Sequence, residues 1–358
     1  MNNQNRSFAF TKAFVVLLLI LFTAGAATAG EVQKVGTTSM QTLRIASSVR
    51  AIGMGETYVS VADGIDAVFW NPAGLIHVEQ NAAQFSQINM PAGIQFNTAA
   101  YVRNLGRTGV FGVHMLALST DDMPVRTVAK PEGTGEYFMA YDFVPGVSWA
   151  QRLTDRFIFG SNLRLALSGI EDETYTGFLV DFGTLYETHL RSIKLGMSLQ
   201  NFGPDVDYSG RYLDYQDQGR RARTVPETND YTGAPPPTIY RIGLSANLFE
   251  LTGVTAPDGL DGIIATEMSH PNDNRERINF GLELSYVEMI MLRAGYKLRY
   301  KNVYGYDEER WTAGFGLNIP VSNMNFILDY AYNDFGRIAE ASEDFIEKPH
   351  RFSLSFTF

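Results

Sequence analysis

The stretch MLRAGYKLRY, residues 291–300, alternates two kinds of side chain along its whole length. Because successive side chains of a β-strand point to opposite faces, this alternation predicts a strand with two unlike faces. Large apolar residues suit contact with lipid, and charged or small residues suit contact with water. The apolar face holds Leu292, Ala294, Tyr296, Leu298 and Tyr300, and the other face holds Arg293, Gly295, Lys297 and Arg299.

The same period recurs along the chain and predicts an all-β fold. Residues 276–287 and 322–333 repeat it, with Glu283 and Asp329 on the small or charged face. An apolar exterior around a polar interior is typical of a transmembrane outer-membrane β-barrel. We predict about fourteen antiparallel strands of roughly ten residues each, as a tilted membrane strand requires. They lie near 82–90, 94–104, 107–118, 137–151, 155–168, 174–187, 190–201, 238–249, 261–269, 276–287, 289–300, 309–319, 322–333 and 349–358.

The connections between these strands alternate in length. Those after even-numbered strands are mostly short, as at 105–106 and 320–321, whereas those after odd-numbered strands include 119–136 and 202–237. Membrane barrels have short periplasmic turns and longer extracellular loops. Both chain ends are therefore predicted on the periplasmic side, and residues 250–260 are the clearest exception to the alternation.

The two ends of the chain indicate export. Residues 1–29 combine a positive start, an apolar run at 13–22 and an Ala-Thr-Ala sequence, which predicts a signal peptide cleaved after Ala29. A membrane anchor is the alternative, but the apolar run is half the length of a span. The final RFSLSFTF, residues 351–358, resembles the assembly signal of outer-membrane barrels. We predict a monomer in the bacterial outer membrane; an exported soluble β-sandwich is the alternative.

Composition excludes several functions. The chain of 358 residues has no cysteine, which excludes disulfides and thiolate metal sites, and its net charge of -10 argues against nucleic-acid partners. No nucleophile elbow, phosphate loop or zinc motif occurs, so we predict no enzyme, no cofactor and no metal. The alternative is a barrel hydrolase that uses His114 with the loop acids Asp121 and Asp122.

The alternation fails between residues 30 and 80. The sequence GIDAVFWNPAGL, residues 64–75, suits neither a regular helix nor a strand. Irregular backbone at membrane depth is tolerated only inside protein or a water-filled cavity. We therefore predict a plug at 30–80 inside a barrel at 81–358, with a periplasmic tail as the alternative. The plug residues singled out are Trp70, Asn71, Pro72 and Gly74, of which Asn71 and Pro72 shape the backbone.

Charged residues on the inward face form a second candidate site. A short turn at Glu288 places Glu283 opposite Arg293, and Lys297, Arg299 and Asp329 face inward as well. Such charges are expected to brace the barrel and the plug. The alternative is a path for an ion or a substrate. If Glu283 and Arg293 face one another, exchanging them should leave folding intact, and if they do not, the exchange should weaken it.

Several motifs resemble a known family. RAIGMG at 50–55, VAD at 61–63, WNPAGL at 70–75, QNFGP at 200–204 and PPPTIYRIGL at 235–244 are similar to the PorV/PorQ family, within the wider FadL-like group of barrels. The PorV/PorQ resemblance implies a type IX secretion component that binds secretion subunits and the C-terminal domains of exported cargo. The FadL-like resemblance implies passive transport of a hydrophobic small molecule, although the inward positions are predicted to be charged or small.

The long loop 202–237 is the candidate partner-binding surface. It is rich in tyrosine and arginine, the residue types that anchor protein interfaces. The residues singled out are Tyr212, Tyr215, Arg220 and Arg221. A loop that only shields the mouth of the barrel would have the same composition, so this second interpretation stays open.

Overall fold

Antiparallel strands form a closed barrel in the computed structural model of the chain. The structure describes residues 36–90, 93–171, 173–188, 190, 192–209, 233–298, 310–333 and 350–358. Within these ranges fourteen strands pair in sequence order, and the first strand, β1, pairs with the last, β16, to close the ring. The predicted all-β barrel and its strand number are confirmed. The signal peptide at 1–29 lies outside the described residues.

The strands have the length that a membrane barrel needs. A small hairpin of β4 and β5 stands apart from the barrel in the loop between β3 and β6. The bounds are β1 (Asn81–Met90), β2 (Ile94–Asn104), β3 (Val110–Ser119), β4 (Met123–Pro124), β5 (Tyr137–Phe138), β6 (Ala140–Arg152), β7 (Phe157–Ile170), β8 (Glu173–Glu187), β9 (Lys194–Phe202), β10 (Ile239–Asn247), β11 (Leu260–Pro271), β12 (Arg277–Tyr286), β13 (Ile290–Leu298), β14 (Trp311–Val321), β15 (Met324–Asn333) and β16 (His350–Thr357).

The two faces of the barrel follow the alternation read from residues 291–300. On β13, Leu292 is 56% exposed on the outer face, whereas Arg293 and Lys297 are buried on the inner face. The outer face is apolar around the ring, and it is suited to lipid. Its exposed side chains include Phe85, Tyr101, Phe111, Val113, Phe143, Val147, Leu163, Phe178, Phe182, Tyr240, Tyr286, Leu292, Trp311, Leu328, Phe352 and Leu354.

The helices of the structure are short. None of those in the described ranges is long and apolar enough to cross a membrane. The connection 248–259, the exception to the short-turn rule, contains one of them, and its first turn is capped by the Asn247 side chain. The helical bounds are Gln41–Arg44, Val49–Gly53, Ile65–Phe69, Pro72–His77, Gly106–Thr108 and Leu248–Thr252.

Residues 36–78, which we call the luminal segment, lie inside the barrel. At one end Ser39 N donates to the carbonyl of Pro235, beside the extracellular end of β10. At the other end Asn104, at the periplasmic end of β2, donates to the carbonyl of Val78. The segment thus runs from the extracellular mouth to the periplasmic start of β1. Its buried core includes Ile52, Tyr58, Trp70 and Leu75.

Glycines allow the luminal segment to lie directly against the wall. A Cβ added to Gly295 on β13 would overlap the backbone nitrogen and Cα of Gly55. Gly55 itself has a φ of +70°, which favours glycine. Backbone therefore meets backbone here, and neither side has a flexible side chain that could give way.

We expect Gly295→Ala to displace the luminal segment while the strands still form. Overpacking of this kind costs about 1–3 kcal/mol. Proteolysis at residues 50–60 in detergent should become faster, while the heat-dependent shift in gel mobility of a folded barrel is kept. Gly112→Ala is the matched control, because the atom nearest to its Cβ would be a Val102 methyl at 3.1 Å, with no neighbour under 3.0 Å. If Gly295→Ala is cleaved at residues 50–60 as slowly as the wild type, the close contact between Gly295 and Gly55 is contradicted.

Candidate functional site: a lumen with a charged side and an apolar side

A row of alternating charges lines the lumen along β12, β13 and β15. Arg50 of the luminal segment donates to both oxygens of Glu283, from Nε at 2.9 Å and from an Nη at 2.7 Å. Arg293 donates from Nε to Glu283 at 2.6 Å and from an Nη to Asp329 at 2.5 Å. Glu283 and Arg293 are direct neighbours across β12 and β13, as their spacing predicts. Arg50 also pairs with Asp63.

A second buried carboxylate anchors the middle of the luminal segment. Glu267 on β11 accepts from the backbone nitrogens of Tyr58 and Val59, both at 2.8 Å, and from Trp70 Nε1 at 3.3 Å. Arg241 on β10 donates to the other oxygen at 3.3 Å and places its guanidinium 4.3 Å from the centre of the Trp70 ring. Glu267 thus accepts hydrogen bonds from four donors, three of which belong to the luminal segment, and these bonds position the segment.

The residues singled out in GIDAVFWNPAGL shape the backbone. The Asn71 side chain accepts from Ala73 N at 3.2 Å, the local turn that the sequence suggested, and donates to the carbonyls of Val59 and Thr184. Pro72 opens the short helix Pro72–His77. A Cβ on Gly74 would overlap the carbonyl of Ala62, so this position needs glycine.

The remaining residues singled out from the sequence fall in two groups. Lys297 is buried and donates to Glu56 at 2.6 Å and to Asn333 at 3.4 Å. Arg299 lies outside the described residues, so its predicted inward position stays a prediction. The same holds for the candidate partner-binding residues Tyr212, Tyr215, Arg220 and Arg221.

Asp66 is a functional candidate that the sequence reading missed. Its buried carboxylate on the luminal segment accepts from the Gln84 amide of β1. Burial and, to a smaller extent, the charge of Asp329 raise the pKa of the Asp66 carboxyl to about 6, although the hydrogen bond from Gln84 and the charge of Arg50 oppose the shift. The only feature of the sequence that pointed to Asp66 was an acidic residue followed directly by three apolar residues, 67–69.

The opposite side of the lumen is apolar in its extracellular half. Met40 and Leu43 of the luminal segment pack there against inward side chains of β1, β2, β3, β6, β7 and β8. The expectation that inward positions are charged or small is wrong for the apolar positions here, because they pack against apolar side chains of the luminal segment. It holds for Asp142 and Ser168 on the same strands, which are buried and polar. The inward apolar residues are Ile88, Phe96, Leu116, Val144, Ala166, Tyr175 and Leu179.

A small cavity lies at the end of this apolar side that is nearer the periplasm. Its volume is about 30 Å³, and it is lined by Leu43, Phe69 and Leu116 together with His114 and Arg164. The cavity has room for about one water molecule. Within the described part of the chain, His114 Nε2 is buried without a hydrogen-bond partner.

His114 has no catalytic partner set. Its Nδ1 lies 3.0 Å from Ser148 Oγ, on the neighbouring strand. Asp121, proposed as an alternative partner, lies beside Gly93 in the extracellular region. In the described ranges, therefore, no carboxylate orients the ring as a hydrolytic triad requires.

Next to His114 the barrel wall has an interrupted hydrogen-bond ladder at Pro145 and no side chain at Gly146, and we call this place the thin point of the wall. On β6, Pro145 lacks an N–H, and the ladder between β6 and β7 is interrupted between the pairs Phe143–Leu167 and Gly146–Arg164. The next residue, Gly146, has no side chain, and its neighbours across the two ladders are His114 and Arg164. An outer cavity of about 690 Å³ abuts this point, and His114 and Arg164 line it as well as the inner cavity.

The fold, a closed barrel of fourteen antiparallel strands around a lumen, is similar to that of solved transport proteins. A closed barrel with an apolar outer face is typical of bacterial outer membranes. The Pseudomonas putida toluene transporter TodX matches with 10% identity and a TM-score of 0.52, over 86% of this chain and 96% of that chain. The monoaromatic hydrocarbon channel CymD matches with 12% identity and a TM-score of 0.50, over 90% and 99%. A Pseudomonas aeruginosa FadL homologue matches with 10% identity, over 87% and 98%, at a TM-score of 0.47.

Sequence comparisons add no closer relative. No protein-family model matches the chain, and no curated protein matches it in sequence. The identities to TodX and CymD are low, so they establish the fold and not the activity. Both proteins are named as a transporter or a channel rather than as an enzyme.

We expect the double variant Glu283→Arg/Arg293→Glu to be destabilised, contrary to the expectation for an isolated pair. Arg50 and Asp329 flank the pair, so each new charge would face a like charge. An uncompensated buried charge costs about 3–5 kcal/mol. The temperature of the gel-mobility transition should fall, and adding Asp329→Arg should recover part of the loss. A double variant as stable as wild type would contradict the four-residue row.

The Asp66 carboxyl should make the luminal segment less stable as the pH rises. A carboxyl whose pKa is raised in the folded state contributes its full stability below the unfolded pKa, near 4, and loses it as the pH rises through about 6. Asp66→Asn should therefore flatten the fall in melting temperature between pH 4 and pH 7. Asp122→Asn, at an exposed loop position, is the control. An unchanged slope in Asp66→Asn would contradict the assignment.

Proposed function

We propose that the protein is a passive channel for hydrophobic small molecules, in which the luminal segment acts as a movable plug. The observation that carries this proposal is the apolar side of the lumen, which ends at a thin point of the wall backed by an apolar outer cavity. A polar solute would gain nothing from such a lining, whereas a hydrophobic one is stabilised in proportion to the apolar area it buries.

The plug must move for a solute to pass. Small-molecule sites have volumes of about 300–1,000 Å³, so the inner cavity of about 30 Å³ is closed to such ligands. The short helix Gln41–Arg44, which carries Leu43, fills the space. We infer that this helix is displaced during transport, and that the charged side of the lumen holds the rest of the segment in place.

Asp273 is one of two carboxylates that hold this helix; the other is Asp142 on β6, which accepts from Thr42 Oγ1. Asp273 lies in the extracellular turn between β11 and β12, and its side chain is fully buried. It accepts from Thr38 Oγ1 at 2.7 Å, from Gln41 Nε2 at 3.2 Å and from Arg44 Nη at 3.1 Å. These three donors all belong to the outer end of the luminal segment, so loss of the carboxylate releases that end first.

The exit that we propose is sideways, between β6 and β7. There the missing hydrogen bonds at Pro145 and the absent side chain at Gly146 leave the lowest barrier between the inner and outer cavities. A solute leaving by this path enters lipid, which suits an uncharged aromatic or aliphatic molecule. TodX is named as a toluene transporter and CymD as a monoaromatic hydrocarbon channel, and these names support this solute class.

Uptake of labelled toluene into cells with an otherwise impermeable outer membrane tests the proposal. The protein should accelerate uptake over an empty vector, and Asp273→Asn should raise the rate several-fold by freeing the helix Gln41–Arg44. Gly146→Val should lower the rate, because even its Cβ would lie 2.6 Å from both His114 Nε2 and Arg164 Cγ. Gly112→Ala is the control. Equal uptake with and without the protein, for toluene and for a long-chain fatty acid, would refute transport.

The PorV/PorQ-like role in type IX secretion stays a hypothesis from the sequence. Neither the fold comparisons nor any contact of the described residues supports it, and its candidate partner-binding residues lie outside the described residues. Copurification of exported proteins through their C-terminal domains, lost on deletion of 202–237, would support it. Normal secretion without the protein in its source organism would exclude it.

A further inference from the structure

The lipid-facing wall carries an apolar groove across β2, β3, β6, β7 and β8. It consists of the cavity of about 690 Å³ beside the thin wall and a second cavity of about 470 Å³ toward the periplasm. The two cavities share Tyr101, Val113, Val147 and Leu163 in their linings. We call the two together the outer groove.

A small residue among large ones creates the periplasmic part of the groove. One row of outward neighbours runs across the strands from Arg103 through Phe111 and Trp149 to Ser161 and Phe182. Ser161 lies between two large aromatic side chains and leaves the floor of the groove open.

The length of the outer groove matches one leaflet of a membrane. Along β6 its lining runs from Trp149 to Phe143, a distance of six residue steps or about 20 Å of strand. Barrel strands are tilted by about 40°, so the groove spans about 15 Å along the membrane normal. The hydrocarbon core of a bilayer is about 30 Å thick, and one leaflet is half of that.

Arg103 supplies a positive charge at the periplasmic end of the groove. It lies at the end of β2, exposed on the outer face, and lines the cavity. No acidic residue lines either cavity. Among the described residues, no hydrogen bond or ion pair engages the guanidinium of Arg103 or that of nearby Arg107. An unpaired guanidinium at this depth lies at the level of the inner-leaflet headgroups, where it attracts a phosphate.

We propose that the outer groove is a binding site for an anionic phospholipid of the inner leaflet. One acyl chain lies along the groove over Ser161 toward Pro145, and the phosphate pairs with Arg103. This proposal does not depend on transport, because it concerns the outer face alone. A bound lipid would nevertheless cover the thin point of the wall from outside, so any solute leaving there would have to displace it.

Fluorescence quenching by brominated lipids tests the site, because Trp149 lines the groove. All proteins in this experiment carry the substitution Trp311→Phe, which removes the tryptophan that is exposed elsewhere on the outer face. The remaining tryptophan, Trp70, is buried in the lumen. Vesicles contain phosphatidylcholine with increasing brominated phosphatidylglycerol. One cation at a membrane surface contributes about 1 kcal/mol to the binding of an anionic lipid. The site should therefore bind phosphatidylglycerol about fivefold more tightly than phosphatidylcholine.

Arg103→Gln should lower the preference for phosphatidylglycerol over phosphatidylcholine to about one. Arg156→Gln is the matched control, because Arg156 is exposed at the same periplasmic rim but does not line the groove. A wild-type preference near one would overturn the proposal. So would an equal loss in the two variants, since that would indicate a general attraction to the rim rather than a site.

A second measurement tests the groove itself. After purification in detergent, native mass spectrometry should find one phospholipid on the wild-type barrel and none on Ser161→Phe, whose ring fills the groove. Ala313→Phe, at a small outward position on β14, is the control and should keep the lipid. Lipid retained by Ser161→Phe as in wild type would overturn the proposal, and the gel-mobility shift verifies that each variant is folded.

Discussion

The pairing of β1 with β16 is the constraint on which the rest of the structure depends. Hydrocarbon offers no hydrogen bonds to a backbone, so strands can cross a membrane only in a sheet without edges. Closing the sheet makes its two faces unequal: one meets lipid and the other encloses a lumen. Side chains at 82–87 and 352–357 lie opposite each other along this seam. An inward charged residue of the barrel then needs a partner inside the lumen.

The luminal segment supplies many of these partners. Glu283 lies between Arg50 and Arg293, and Glu267 receives backbone donors from Tyr58 and Val59. Buried ion pairs contribute little net stability but strongly penalise misplacement, because each charge left alone is costly. The segment is thus positioned by the charged side of the lumen. The apolar side is held by packing and by two carboxylates, Asp142, which accepts from Thr42, and Asp273. In the proposed channel this is the side that opens.

The same asymmetry extends through the wall. The charged side is backed by continuous ladders between β11 and β15, whereas the apolar side faces the interrupted ladder at Pro145. Proline in a strand removes a donor, and glycine removes a side chain, so both weaken the barrier at one place. The outer groove lies over that place on the lipid side. The proposed solute path and the proposed lipid site therefore share one region of the barrel.

The sequence by itself determined the barrel, its number of strands, the side on which each residue of 291–298 lies and the pairing of Glu283 with Arg293. These follow from a period of two and from turn lengths, which are local properties of the chain. Only the tertiary structure decided that Arg50 and Asp329 extend the pair, that Asp273 holds the helix Gln41–Arg44 and that half of the lumen is apolar. The contacts of Arg50 and of Asp273 join residues more than two hundred positions apart, and Asp329 reaches Arg293 across an intervening strand. No local pattern encodes which inward face meets which part of the luminal segment.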